Sequence, residues 1–258
     1  MTRLSPRPPA DDHTVPQQWE RYTRDEHDRW RVLFERQVAV LRDRACPEFL
    51  AGLSALNLHD GGIPDFARLS EALHRLTGWT VVAVPGLIPD AAFFAHLAER
   101  RFPAGNFLRR ADQMDYLQEP DVFHDVFGHV PMLTQPAFAD FMQAYGQGGL
   151  RSQSFGALTQ LARLYWYTVE FGLIATPAGL RIYGSGIVSS RAETLYALES
   201  PAPRRQAFNL QQVMRTPYQI DRFQDVYFVI DSFETLLRET AQDFAPIYRQ
   251  LKTLPDLP

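Results

Sequence analysis

The densest chemistry in the chain lies in one stretch, Glu119-Pro-Asp-Val-Phe-His124-Asp-Val-Phe-Gly-His129-Val-Pro131. It holds two imidazoles five residues apart, and a histidine pair is a common start to a metal site. On a regular helix five residues turn about 500°, so the two rings would point roughly 140° apart. The His-x3-His spacing of zinc proteases puts both rings on one face, and this spacing does not. The pattern therefore predicts a helix that breaks between its two ligands. Gly128 can supply a left-handed stop, and Pro131 bars continuation. A third candidate is Glu170, the one charged side chain between Arg163 and Arg181. A carboxylate in such apolar surroundings costs several kcal/mol unless it is paired or bound to metal. The ordinary alternatives are a polar histidine pair and a glutamate that reaches water or a distant arginine. Two imidazoles and a carboxylate suit Fe(II) in an oxygenase, or Zn²⁺ in a hydrolase; the residues alone do not choose.

The elements that must position these groups follow from periodicity and punctuation. Thr23-Arg-Asp-Glu26 has the capping-box pattern, and Trp30, Leu33, Phe34, Val38 and Leu41 follow at helical spacing. Further helices are predicted after Pro47, from Pro64 to a stop at Gly78, and after Pro89, Pro120 and Pro136. Phe155 to Leu173 reads as one long buried helix, apolar nearly all round. Ser189–Glu199 and Ser232–Phe244 also read as helices. Strands are predicted at Thr80–Val84 and Val226–Ile230. The fold class is mainly α with a few short strands, in one domain over residues 19–258. Four prolines and few large apolar groups mark residues 1–18 as a flexible N-terminal arm.

Bulk properties narrow the function classes. With 26 basic against 30 acidic residues and no basic stripe, nucleic acid is not an expected partner. No apolar stretch approaches the ~20 residues that span a bilayer, and the first residues lack a signal-peptide core. A single cysteine, Cys46, permits no internal disulfide. A cytoplasmic protein is the simplest expectation. The 18 phenylalanines suit an aromatic core, or a cavity that receives flat rings.

Three blocks carry a family resemblance: EPDVFHDVFGHVP (Glu119 to Pro131), LYWYTVEFGL (Leu164 to Leu173) and IYGSGIVSS (Ile182 to Ser190). They resemble the biopterin-dependent aromatic amino acid hydroxylases, most closely the short bacterial members that act on phenylalanine, over roughly Val81 to Phe233. The resemblance implies that family's single-domain catalytic fold, with Fe(II) held by His124, His129 and Glu170. It implies a tetrahydropterin (tetrahydrobiopterin or a bacterial analogue) stacked on Phe93 and cradled by Leu87, Ile88 and Tyr165, with Asp125 nearby. Asp125 would otherwise read as a first-turn acid favoured by the helix dipole. Arg109 would grip the substrate carboxylate, Ser189 would add a polar contact, and Pro120, Trp166 and Phe171 would wall the substrate ring. Leu117 stands where the animal enzymes carry a hydroxyl.

The implied reaction converts L-phenylalanine and O₂ to L-tyrosine, with the spent pterin regenerated by separate recycling proteins. Trp166 matches the phenylalanine and tyrosine hydroxylases, whereas tryptophan hydroxylases carry a smaller Phe. Ile220 aligns with a position that is apolar in phenylalanine hydroxylases and acidic in tyrosine hydroxylases. An apolar wall there would leave a tyrosine hydroxyl unsatisfied. No run of three heptads is visible, and the chain closes on Leu-Lys-Thr-Leu-Pro-Asp-Leu-Pro, so a monomer is expected. The competing readings are a tyrosine or tryptophan hydroxylase of the same fold, a zinc-dependent hydrolase, and a non-catalytic pterin- or metal-binding protein. The hydrolase would need a separate general base, and no His-Glu-x-x-His supplies one.

Overall fold

The computed structural model describes residues 12–59, 61–115 and 119–257. Helix α1 (Arg24–Leu41) opens with the expected capping box, in which Thr23 and Glu26 satisfy each other's backbone N–H groups. Its buried face presents Trp30, Leu33 and Leu41 to the core. Helix α2 (Pro47–Ala55) follows, then α3 (Phe66–Thr77). The third helix starts two residues later than Pro64 suggested, because the Asp65 carboxylate caps it by accepting from Ala67 N–H. It stops at Gly78, whose φ of 77° closes the helix in the left-handed region.

Strand β1 (Thr80–Val84), helix α4 (Asp90–Ala98) and strand β2 (Arg101–Gly105) follow, and the two strands pair in parallel as a small sheet. Residues 12–18, expected in the mobile arm, are tied to this sheet. Val15 N–H donates to Ala83 O, Asp12 pairs with Arg101, and Gln17 bridges Pro64 and Phe66. A segment poor in large apolar groups can still dock through backbone bonds to a free strand edge. The remainder of the expected arm lies outside the described residues.

Helix α5 (Pro136–Phe155) packs closely on α4. A Cβ at Gly146 would lie 2.4 Å from Ala98 N, so only glycine admits this approach. Residues 155–173 are not one helix. Gly156, at φ 61°, ends α5; α6 (Leu158–Tyr165) then passes into a π-helix over Trp166–Glu170. Strand β3 (Leu173–Thr176) begins three residues later. Strand β4 (Gly179–Ile182), the short α7 (Ser185–Val188), α8 (Arg191–Glu199) and β5 (Arg204–Ala207) follow. After α9 (Leu210–Arg215), strand β6 (Val226–Ile230) completes a sheet of order β4-β3-β6-β5. Helices α10 (Phe233–Thr240) and α11 (Ala245–Leu251) close the described chain. The architecture is mainly helical with short strands, and no described helix is long and apolar enough to cross a membrane.

A cluster of aromatic rings backs one turn. Phe123 and Phe127 stack 4.7 Å apart, with Trp30, Phe34 and Phe49 edge-on behind them. This wall holds the segment that carries both histidines.

Candidate metal centre

His124 and His129 share a π-helix, Phe123–His129, rather than flanking a helix stop. Its i→i+5 hydrogen bonding sets the fifth residue on beside the first, so the spacing that fails on an α-helix succeeds here. Their Nε2 atoms lie 3.2 Å apart. Gly128 is not left-handed as the sequence suggested. It leaves room for the backbone of α7: a Cβ on Gly128 would meet Ser185 O at 3.1 Å. The second π-helix ends on Glu170, closed by Phe171 N–H donating to Trp166 O at 2.8 Å. Glu170 Oε1 lies 3.2 Å from His129 Nε2, and Oε2 lies 3.6 Å from His124 Nε2. Among the described residues this is the one trio of such groups able to hold a metal ion, with all three ligand atoms within 4.8 Å of one another.

Neighbouring groups fix the protonation that ligation needs. Ser189 Oγ donates to Ser185 O, so it accepts from His124 Nδ1 at 3.0 Å. That puts the ring proton on Nδ1 and leaves the Nε2 lone pair facing Glu170. Burial lowers the His124 pKa to about 4, so the imidazole stays neutral. Burial alone would raise Glu170, but the facing imidazoles and the Ser185 hydroxyl outweigh it and hold the carboxylate ionised. We expect Ser189→Ala to keep the fold and weaken metal binding by about 10–100-fold, the usual effect of removing a ligand's orienting partner. Titration of the variant with Fe(II) checks this; unchanged affinity would show that Ser189 does not orient the ring.

Two clefts meet at this trio. The smaller, about 240 Å³, is lined by Leu87, Ile88, Phe93, Asp125 and Tyr165. Phe93 meets Tyr165 edge-on at 5.6 Å. Asp125 accepts from Gly105 N–H, while burial pushes its carboxyl up to about 7. The larger cleft, about 410 Å³, is lined by Arg109, Pro120, Trp166, Phe171, Ser189 and Ile220. Every site residue expected from sequence thus borders one cleft or the other. Leu87, Pro120, His124 and Glu170 border both. Leu117 lies outside the described residues.

Three expectations change in detail. The Nε and Nη2 atoms of Arg109 already form a bidentate pair with Asp121, both at 2.9 Å. A substrate carboxylate therefore has only the remaining, Nη1-side edge of the guanidinium. Ser189 spends its hydroxyl on the His124 ring and the α7 backbone as well as facing the cleft. Ile220 stands at the rim, 65 % exposed, and is no buried apolar wall.

Asp121, not among the residues expected from sequence, is fully buried and also accepts from His124 N–H at 3.0 Å. Its signal was there: an aspartate three residues before a helical N–H is a capping pattern. Burial would raise the Asp121 pKa, but Arg109 and two backbone N–H groups hold it below the usual range. Also missed were Tyr218, stacked 4.3 Å from Trp166, and Gln224, which accepts from Trp166 Nε1–H.

Comparison with known proteins agrees with this geometry. The model of the biopterin-dependent aromatic amino acid hydroxylases matches residues 12–253. The chain belongs to that family. Among family members, phenylalanine-4-hydroxylase of Caulobacter vibrioides is 64 % identical over 246 residues, covering 95 % of this chain and 84 % of the relative. Tyrosine 3-monooxygenase of Schistosoma mansoni is 35 % identical over 84 % of this chain and 47 % of its own length. The iron- and phenylalanine-bound crystal structure of phenylalanine hydroxylase from Chromobacterium violaceum superposes with a TM-score of 0.91 at 54 % identity, covering 96 % of this chain and 90 % of that one. The hydroxylase fold and its mostly helical character are therefore those of the bacterial family members.

Proposed function

We propose that this chain is a phenylalanine 4-monooxygenase, converting L-phenylalanine to L-tyrosine with O₂ and a tetrahydropterin at a mononuclear non-haem iron. One observation carries the reading: a facial two-histidine, one-carboxylate trio lies where an aromatic-lined slot meets a cleft bearing a buried arginine. Two neutral imidazole nitrogens and an ionised carboxylate fit Fe(II) and leave open coordination positions. The smaller cleft, with Phe93, Tyr165, Leu87 and Ile88 around it, fits a flat heterocycle. The relatives named above that hydroxylate phenylalanine, and the iron in the crystallised one, support the same assignment.

When bound, iron and the reduced pterin supply the electrons and O₂ activation that no side chain can. The protein's part is placement. Arg109, locked by Asp121, offers a fixed donor edge to the amino-acid carboxylate. Trp166, clamped by Tyr218 and Gln224 and packed 4.6 Å from Phe171, sets the plane against which the ring lies. Together these decide which ring carbon faces His124, His129 and Glu170. The apolar walls keep water from that point. We propose that a single copy suffices, since both clefts and all three ligands come from one chain; light scattering tests this. Regeneration of the pterin falls to separate enzymes.

The test is anaerobic loading with Fe(II), then O₂, a tetrahydropterin and L-phenylalanine. Stoichiometric L-tyrosine is expected, and its absence would overturn the reading. Substrate choice between rings rests on Trp166 more than on Ile220. At its exposed rim position Ile220 leaves a tyrosine hydroxyl in water, so Ile220→Asp should shift the tyrosine-to-phenylalanine ratio of kcat/KM by less than about threefold, the scale of a surface change. A tenfold gain for tyrosine would instead put this residue against the ring.

A further inference from the structure

The larger cleft contains a buried carboxylate that the reading above leaves unused. Glu193 sits in the first turn of α8, three residues after the cap Ser190. Ser-x-x-Glu is the capping-box pattern, in which the glutamate would turn back to the Ser190 N–H. It does not: Ser190 N–H bonds Ile187 O instead, and the Glu193 carboxylate accepts from Tyr227 Oη–H. Glu193 is only 6 % exposed, lines the cleft, and has no ion pair among the described residues. Burial holds its carboxyl above the ordinary range, with the Tyr227 hydrogen bond opposing. A buried carboxylate without a counter-charge is costly, and a cation brought to it is favoured.

A free amino acid brings such a cation. Arg109 answers the substrate carboxylate and leaves the ammonium group unmatched. The other acids bordering the cleft are occupied or wet. Glu170 faces the two histidines, Asp115 pairs with Arg36 at 2.7 Å with its side chain 89 % exposed, and Glu119 is exposed. Asp121 is spent on Arg109. We propose that Glu193 is the ammonium acceptor of the substrate site, so that Arg109 and Glu193 together read the zwitterion and restrict the enzyme to free α-amino acids. This rests on the amino-acid reading of the larger cleft.

The experiment compares two ligands and three proteins by anaerobic calorimetry on the Fe(II)-loaded enzyme. L-Phenylalanine carries the ammonium, and 3-phenylpropionate lacks it. Wild type should bind phenylalanine and prefer it. Glu193→Gln keeps the shape and the Tyr227 acceptor but loses the charge. It should weaken phenylalanine roughly ten- to hundredfold, the range for a hydrogen bond to a charged group, while 3-phenylpropionate changes by less than about threefold. Tyr227→Phe retains the carboxylate and should keep most of the preference. Equal weakening of both ligands by Glu193→Gln, or none, would overturn the proposal, as would a preference lost equally in Tyr227→Phe. Wild type that binds neither ligand would sink the substrate reading itself, a different result from binding without discrimination.

Discussion

Glu170→Gln should yield a folded protein that takes up little iron and makes no tyrosine. The amide keeps the shape but loses the charge that two neutral imidazoles need as a third ligand. Metal affinity should fall by more than about 100-fold, beyond the effect of removing an orienting partner. Stability should also fall, modestly, in the metal-free state. There the carboxylate accepts from the Ser185 hydroxyl and faces His129 Nε2 at 3.2 Å and His124 Nε2 at 3.6 Å, and these groups hold it ionised inside a buried site. A carboxyl whose pKa the fold lowers contributes stability at neutral pH, and the amide loses that contribution. The metal-free variant should therefore melt below metal-free wild type, while added Fe(II) raises the melting temperature of wild type alone. Thermal scans with and without Fe(II), beside an iron assay, check both halves. Full activity in the variant would dissolve the proposed trio.

The second large effect belongs to the Arg109–Asp121 pair. Arg109→Met should abolish tight phenylalanine binding and also destabilise the fold by about 3–5 kcal/mol, because it strands a fully buried Asp121. Asp121→Asn added to it removes the stranded charge and keeps an oxygen for the His124 N–H. The double variant should regain more than half of the lost stability and none of the lost phenylalanine affinity. Urea unfolding and calorimetry measure the two quantities separately. If affinity returned with stability, Arg109 would be a structural residue and some other group would hold the carboxylate.

What the sequence revealed depended on how local each signal was. Thr23, Pro64 and Gly78 act within a turn or so of their own position, and the helices they bound lie within two residues of where these signals put them. The metal ligands were legible because they lie in the ordered blocks, whereas Leu87, Ile88, Phe93, Arg109 and Ile220 lie outside the blocks and came from the resemblance alone; all of them border the two clefts. The rest needed long-range partners. Strand β2 contains Pro103 and Gly105, which break any strand pattern, and it exists only because β1 pairs with it. The π-helices were invisible to reasoning in units of 3.6 residues, so the histidine spacing read as a helix break and Phe155–Leu173 as one helix. Ile220 was placed by alignment alone, and alignment carries no exposure.

Leu87, 77 % exposed, borders both clefts, as does Pro120. Two small molecules, one shaped for each cleft, could be joined by a short tether. Once one half is docked, the other experiences an effective concentration in the millimolar range, roughly, if the tether matches the span. Such a bivalent compound would compete with the amino acid and with the pterin at once, and its potency would depend on tether length more steeply than on either head group.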